Sequence, residues 1–540
     1  MSTSESRGTG PSPPEGGLYR RQSSGLVRDI SGLAAVALNI SFVAIPVAIL
    51  VATQAPSSFP GASPFWVAVI AGVLTVFPVL LYGMFSRVMP RSGGDYVFMS
   101  RTLHPWVGFA ANFNITVWFV LAMTYIAYLI SQLGFSAVFA TIGAITGNKT
   151  FFNMAADVTS KGWSYAIGAI ALIGVTALMS LRLRRALAVH IALFAFSLVG
   201  VVIAFILLLL HGRSDFVSAV ARAGGSYNGI IAAARETGFA GSDHFDLGNT
   251  LLATPLAFLA FGYAIVTAYA SGEVRSAKST VQRTMMLSLV IAVVIVAVLM
   301  GLASRTFGND FMGSATVLSN AGDKGYTLAG PSFLFYFVSL LSNSTLLTVI
   351  IGASFICALL VVLPPTFLIA TRNLFAWSFD RLIPDKVSEV NERTHSPLVA
   401  NGIVLLLSLV YLALIVFAGG NFLALLYTSG LAELLTFMTV AIAGVVFAYR
   451  RRDLYEESAV RGSVMGVPKL TLVGVAAFAV YLFFFISNAT TDALGANARV
   501  GVITTIVVAI AGILAFPVAY VVNRRRGVDL GLAFRELPPE

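Results

Sequence analysis

One cysteine, five histidines and a charged fraction of 11% in 540 residues leave little material for several kinds of chemistry. With Cys357 alone, an intrachain disulfide and a cysteine-based metal site are both excluded. The histidines (His104, His190, His211, His244 and His395) fall at or near the ends of apolar segments or outside them. They are therefore expected as interfacial polar residues rather than as a buried relay or a metal cluster. A membrane enzyme would need His, Asp or Cys gathered inside the apolar segments, and no such cluster is written here. No Gly-x-x-x-x-Gly-Lys loop is present for direct drive by ATP. A soluble domain carries about 25% charged residues, so this chain is far too poor in charge to be one. The first 25 residues are rich in Ser, Gly and Pro and lack the apolar stretch of a signal peptide. Residues 1–29 are expected as a disordered cytosolic tail.

What the chain has instead is apolar length. Hydrophobic residues make up 57% of it and mean hydropathy is +0.87. A bilayer crossing needs roughly 20 apolar residues. No charge falls between Asp29 and Arg87, which leaves room for two helices. Further spans are expected at residues 106–133, 163–181, 187–210, 247–271, 284–304, 397–418, 422–449, 470–487 and 500–522. The uncharged stretch 325–371 could hold one crossing or two, and the excess of Lys and Arg on the cytosolic side decides between them. One crossing, near residues 346–371 and preceded by an external amphipathic helix near 332–342, puts 26 of the 34 basic residues inside. Two crossings would turn Arg450, Arg451 and Arg452 outward. Twelve spans with both ends cytosolic follow, in the cell membrane, with the bilayer as principal partner. The net charge of +10 lies in short clusters between apolar runs, which argues against a nucleic-acid partner.

Two spans read as interrupted. Pro46 has no N–H and clashes with the carbonyl of Phe42, which must find another partner, although Pro and Gly are also simply common in membrane helices. The sixth carries Phe261, Gly262, Tyr263 and Ala264 in its middle. Breaks at these two places are what a pair of inverted five-helix repeats around a midplane site would show.

Three cytosolic loops carry a family signature. After the second span comes Pro90-Arg91-Ser92-Gly93-Gly94-Asp95-Tyr96, continuing to Arg101. After the sixth comes Gly272-Glu273-Val274-Arg275-Ser276-Ala277-Lys278. The eighth ends Thr371-Arg372-Asn373, with Asp380-Arg381-Leu382-Ile383-Pro384 beyond. Together these resemble the amino acid–polyamine–organocation superfamily of permeases over roughly residues 30–450. The resemblance implies an all-α membrane protein of five-plus-five inverted-repeat fold, working by alternating access. Residues 30–211 would be the first repeat, 212–246 an extracellular loop and 247–449 the second repeat. Residues 450–523 would add two more helices, and 524–540 a cytosolic tail. The solute, an amino acid or related amine, would sit between Asn39, Ile40, Ser41, Phe42, Val43 and Ala44 of the first span and Phe261, Gly262, Tyr263 and Ala264 of the sixth, with Asn114 at the border. Many family members have Gly–small–Gly in the first break, where bare N–H groups grip a carboxylate. Phe42-Val43-Ala44 crowds those groups here and weakens the inference of an α-amino acid. A non-amino-acid solute stays open, as does a channel, though a channel asks for a continuous polar lining.

Chemistry within these elements narrows to a few residues. Arg91, Arg101, Arg275 and Arg372 can pair with Asp95, Glu273 or Asp380 to latch a cytosolic gate; plain positive-inside anchoring is the alternative. Of the 24 acidic residues, Glu433 alone lies deep in a span. A charge there costs about 2.5–3.5 kcal/mol on insertion scales. It reads either as a proton carrier or cation partner, or as a protonated acid in a structural hydrogen bond. The family resemblance includes relatives that replace a sodium ion with a fifth-span lysine, and residues 187–210 have none, so a coupling proton, sodium ion or obligatory exchange all remain open, and no other cofactor is expected.

Overall fold

The computed structural model describes residues 26–418 and 420–526, together with Leu530 and Phe534. Most of the two expected tails lies outside the described residues. Among the described residues, ten helices are long and apolar enough to cross a bilayer. They are Pro64–Val88, Pro105–Thr146, Lys161–Met179, Leu183–Leu210, Ala277–Phe307, Thr345–Phe379, Leu398–Ala418, Gly430–Arg450, Lys469–Thr490 and Arg499–Arg525. Two shorter apolar helices, Gly32–Val43 and Leu247–Phe261, begin the first and sixth spans.

The first span starts at Ser31, whose hydroxyl accepts from the Ala34 amide at 3.3 Å, and runs over Gly32–Val43. It stops at Ala44, which is left-handed (φ 52°, ψ 60°), and resumes as Ile45–Ser58. Pro46 sits in the first turn of that second half. There its missing N–H is no loss and its fixed φ suits a helix start. The interruption therefore falls two residues before the proline, which relieves the clash with Phe42. The sixth span comprises Leu247–Leu252, Thr254–Phe261, a turn over residues 262–265 and a last short helix, Val266–Tyr269.

Several boundaries depart from expectation. The third span continues to Thr146, 42 residues in all, through a π-helical stretch at Ile130–Phe135. Nothing charged occurs before Lys149 to end it sooner. Within the stretch 325–371 the structure has a nine-residue helix, Leu334–Ser342, and then Thr345–Phe379. Nine residues rise about 14 Å, too little to cross. Leu334 through Leu341 are all buried, so this helix is enclosed rather than amphipathic. The segment 212–246 forms two helices, Arg213–Arg222 and Tyr227–Glu236.

Close helix approach organises the centre. A Cβ on Gly72 would meet Val293 at 2.5 Å, and one on Gly83 would meet Gln282 at 2.7 Å, so the second and seventh spans pack nearly backbone to backbone. The outer spans expose large apolar side chains such as Ile170, Leu210, Leu406 and Val518. Lipid tails are the natural cover for such a belt, because the helices bond their backbone groups internally.

Candidate functional site

The breaks of the first and sixth spans face one another across a cavity of about 370 Å³. Phe42, Val43 and Ala44 line it from the first span, Ala260 and Tyr263 from the sixth, and Glu433 from the tenth. Its apolar wall comes from Ala122, Ile126, Leu129, Leu256, Leu259 and Val362. Gln54, Ser319, Asn320 and Ser332 border it at the end away from residues 90–101 and 272–278. A helix broken in mid-span offers N–H groups at the start of its second half and free carbonyls at the end of its first, about half a charge of each sign. Such ends can hold a zwitterion in an otherwise apolar chamber.

Glu433 is 2% exposed. Tyr263 donates its hydroxyl to Glu433 Oε2, whereas Oε1 is buried with no hydrogen-bond partner among the described residues. A carboxyl so placed either carries a proton or awaits a cation, since an ionised and half-bonded carboxylate is costly away from water.

Beneath the cavity the chain is closed in layers. Phe42, Phe119 and Tyr263 form an aromatic floor, with ring centroids 4.8 Å apart for Phe42–Tyr263 and 5.7 Å for Phe42–Phe119. Below it Asn39 ties the two broken spans together. Its Nδ2 donates to Thr267 Oγ1 at 3.2 Å, and its Oδ1 accepts from the Thr267 amide at 3.1 Å. Next come the loops. Gly93 N–H donates to the Tyr269 carbonyl at 2.9 Å, and Ile30 N–H to the Glu273 carbonyl at 3.0 Å.

Charged residues complete this closure. Arg372 holds Glu273 with two hydrogen bonds of 2.5 and 2.8 Å, and Arg101 holds Asp380 with two of 2.7 and 2.9 Å. All four side chains are buried. Tyr96 adds a bond of 2.7 Å to Asp380 Oδ2. Asp95 takes neutral donors instead: Asn112 Nδ2 at 2.6 Å, Tyr269 Oη at 2.8 Å and Tyr82 Oη at 3.4 Å. Burial pushes the Asp95 carboxyl up to about 6, against the opposing pull of those hydrogen bonds. Arg275 lies exposed and reaches Asp29 at 3.4 Å, while the Arg91 carbonyl accepts from Ser271 Oγ at 2.9 Å.

The remaining expected residues lie beside the cavity rather than along it. Ile40, Phe261 and Ala264 are buried among packed helices. Ser41 Oγ lies 3.1 Å from His190 Nε2. A Cβ on Gly262 would meet the ring and the carbonyl of Phe258, both at 3.0 Å, and not the cavity. Asn114 donates to the Ala432 carbonyl at 2.8 Å and so fixes the tenth span one residue from Glu433. His190 corrects the interfacial reading of the histidines. Its helix begins at Leu183, which puts it two turns inside the fifth span, and it is 1% exposed.

Residues 30–522 match a family described as amino acid permease. The chain belongs to this family. It is a multi-pass membrane transporter of the amino acid–polyamine–organocation superfamily, as the three loops indicated. The branched-chain amino acid permease BcaP of Lactococcus lactis subsp. cremoris (strain MG1363) is 26% identical over 406 residues, which cover 74% of this chain and 77% of the relative. In this chain the cavity, the two breaks and Glu433 lie within residues 30–522, the region that the family matches.

Proposed function

We propose that this permease carries an amino acid with an apolar side chain across the cell membrane by alternating access. The cavity between the two helix breaks carries that reading. Its volume suits a small ligand. The helix ends at Ala44 and Tyr263 offer partners for an ammonium and a carboxylate, and the aliphatic wall suits a hydrocarbon side chain. The relative that transports branched-chain amino acids supports the same size class. The crowding of the first break by Phe42 and Val43 leaves the carboxylate to the N–H groups beyond Ala44, with the ammonium toward Glu433.

Twelve spans arranged as two inverted repeats of five plus two, with both termini cytosolic, fit the ten long helices and the two broken ones. In this arrangement the ion-paired loops close the cytosolic side and the cavity leads outward past Ser319 and Asn320. Glu433 is the coupling group of this mechanism, taking a proton from the outer side and releasing it inward as the floor opens.

Counterflow in proteoliposomes tests the substrate class. Leucine, isoleucine and valine are expected to exchange, with glutamate and lysine excluded. Exchange of the charged pair in preference to the aliphatic three would sink the proposal. Single cysteines in a Cys357→Ser background test the side: Asn320→Cys should label from outside intact cells, and Glu456→Cys should not.

A further inference from the structure

A second and larger cavity, about 750 Å³, opens on the side of the molecule that carries the ion-paired loops. Among the described residues, five cationic ones line it, Arg28, Arg87, Arg91, Lys278 and Arg283, and no acidic one does. That imbalance sets it apart from its surroundings. In the ion-paired loops, by contrast, Arg101 and Arg372 each have a buried carboxylate. Here Arg87 donates to neutral acceptors, Gln282 Oε1 at 3.0 Å and the Ala459 carbonyl at 3.3 Å, and its Nε is buried with no partner. Among the described residues, the side chains of Arg28, Lys278 and Arg283 take part in no hydrogen bond or ion pair. Gathered like charges repel, and the arrangement gains stability from an anion.

The backbone at the same place points the same way. The 31-residue helix Ala277–Phe307 starts in the cavity wall at Ser276, which is left-handed (φ 52°) and gives no side-chain cap. Its first turn holds no acidic residue to occupy the free N–H groups. A bare helix start beside guanidinium groups is a site for an oxyanion, and a forked guanidinium matches phosphate oxygens two at a time.

We propose that this cavity binds a phosphate group, held by Arg87, Lys278 and Arg283 at the start of the seventh span. The site is flanked by Val88, where the second span ends, and by the beginning of the seventh, so it lies at the level of lipid headgroups. An anionic phospholipid and free inorganic phosphate share the chemistry that fits it. The bound group joins the end of the second span to the start of the seventh, two elements that also border the closed loops.

The test uses the full-length protein in neutral detergent. Thermal unfolding and binding are measured with phosphatidylglycerol, with phosphatidylcholine and with inorganic phosphate. Phosphatidylglycerol or phosphate is expected to raise the melting temperature of the wild type, with binding that weakens as salt is added. Stabilisation by phosphatidylglycerol alone assigns the site to a headgroup, and stabilisation by inorganic phosphate assigns it to a soluble ligand. Lys278→Gln should weaken the affinity by about tenfold, the scale of one charge-assisted hydrogen bond. Lys149→Gln, far along the chain in the helix Lys149–Val158, should leave it unchanged. Equal response of wild type to phosphatidylglycerol and phosphatidylcholine with none to phosphate overturns the proposal. So does Lys278→Gln binding as tightly as wild type. Because Lys278 is exposed and bonded to nothing described, its replacement leaves the fold intact.

Discussion

Tyr263, in the turn that breaks the sixth span, donates its hydroxyl to Glu433 of the tenth. The same tyrosine ring packs on Phe42 of the first span at 4.8 Å between centroids. One side chain thus belongs to both the hydrogen bond of the buried acid and the aromatic floor of the cavity. A movement that opens the floor also moves the donor away from Glu433. If Glu433 is the coupling group proposed above, this residue would link proton binding to floor opening.

Glu433→Gln should abolish accumulation driven by a pH gradient while leaving counterflow largely intact. Glutamine keeps the size and can still accept from Tyr263, so a merely structural acid would tolerate it. Tyr263→Phe keeps the ring in the floor and removes the donor, and should weaken gradient-driven uptake by about tenfold, as for a hydrogen bond to a charged group. Uptake assays in proteoliposomes with and without an imposed pH gradient read both. Unchanged accumulation in Glu433→Gln would make the acid structural.

The ion pairs make a stability prediction. Asp380→Asn leaves the Arg101 guanidinium buried without a counter-charge and should cost about 3–5 kcal/mol. Arg101→Lys should be milder but still destabilising, since one ammonium cannot make both bonds to Asp380. Arg275→Gln should be close to neutral, because its contact with Asp29 is exposed and long. Detergent melting curves of the three variants rank them, and an Arg275→Gln loss as large as that of Asp380→Asn would contradict the buried latch.

How far the chain could be read ahead of its structure depends on the physical range of each signal. Uncharged runs such as those between Asp29 and Arg87 or from Pro397 to Ala418 show spans because insertion is a property of a local segment. The seven charged residues of the loops were legible as a set, but their partners were not. Glu273 meets Arg372 from 99 positions away, and Arg101 meets Asp380 from 279. Asp95 turned to tyrosines and an asparagine, and Arg275 to the chain before the first span. Such choices depend on which helices cross where. The floor was partly visible in Phe42 and Tyr263, yet Phe119 lies in an apolar run that marks nothing. His190 was misplaced for a simple reason: Leu183, Arg184 and Arg185 are already helical, so a span start read from the end of the charges came four residues late.

Asp95 predicts a pH dependence. Its folded carboxyl sits near 6, raised by burial above the usual carboxylate value near 3.9. Below about pH 4 the group is protonated whether the protein is folded or not. Between about 4 and 6 only the folded form keeps the proton, so stability contributed by protonation is lost as pH rises through this window. Asp95→Asn should remove that dependence, since its amide can meet the hydroxyls of Tyr82 and Tyr269. The melting temperature of wild type minus that of the variant should therefore fall from pH 4.5 to about 7 and then level off. A difference that rises with pH would show that the hydrogen bonds outweigh burial and that the folded carboxyl is depressed.

The break of the first span turns on Ala44, a residue with a Cβ in a left-handed conformation. That conformation costs an L-residue roughly 1–2 kcal/mol, which glycine avoids. Glycine also adds freedom to the unfolded chain, offsetting part of the gain. Ala44→Gly should therefore be neutral or stabilising by up to about 1 kcal/mol and should retain transport. Ala44→Val places a β-branched side chain where φ is positive, an outlier that few folds sustain. It also directs two methyl groups at a position that lines the cavity. Its melting temperature and its substrate affinity should both fall. Measured together, the two variants separate backbone strain from space: glycine changes the first and valine both. Wild-type affinity and stability in Ala44→Val would mean that the helix does not break at this residue when substrate is bound, and that the substrate-holding helix ends lie elsewhere.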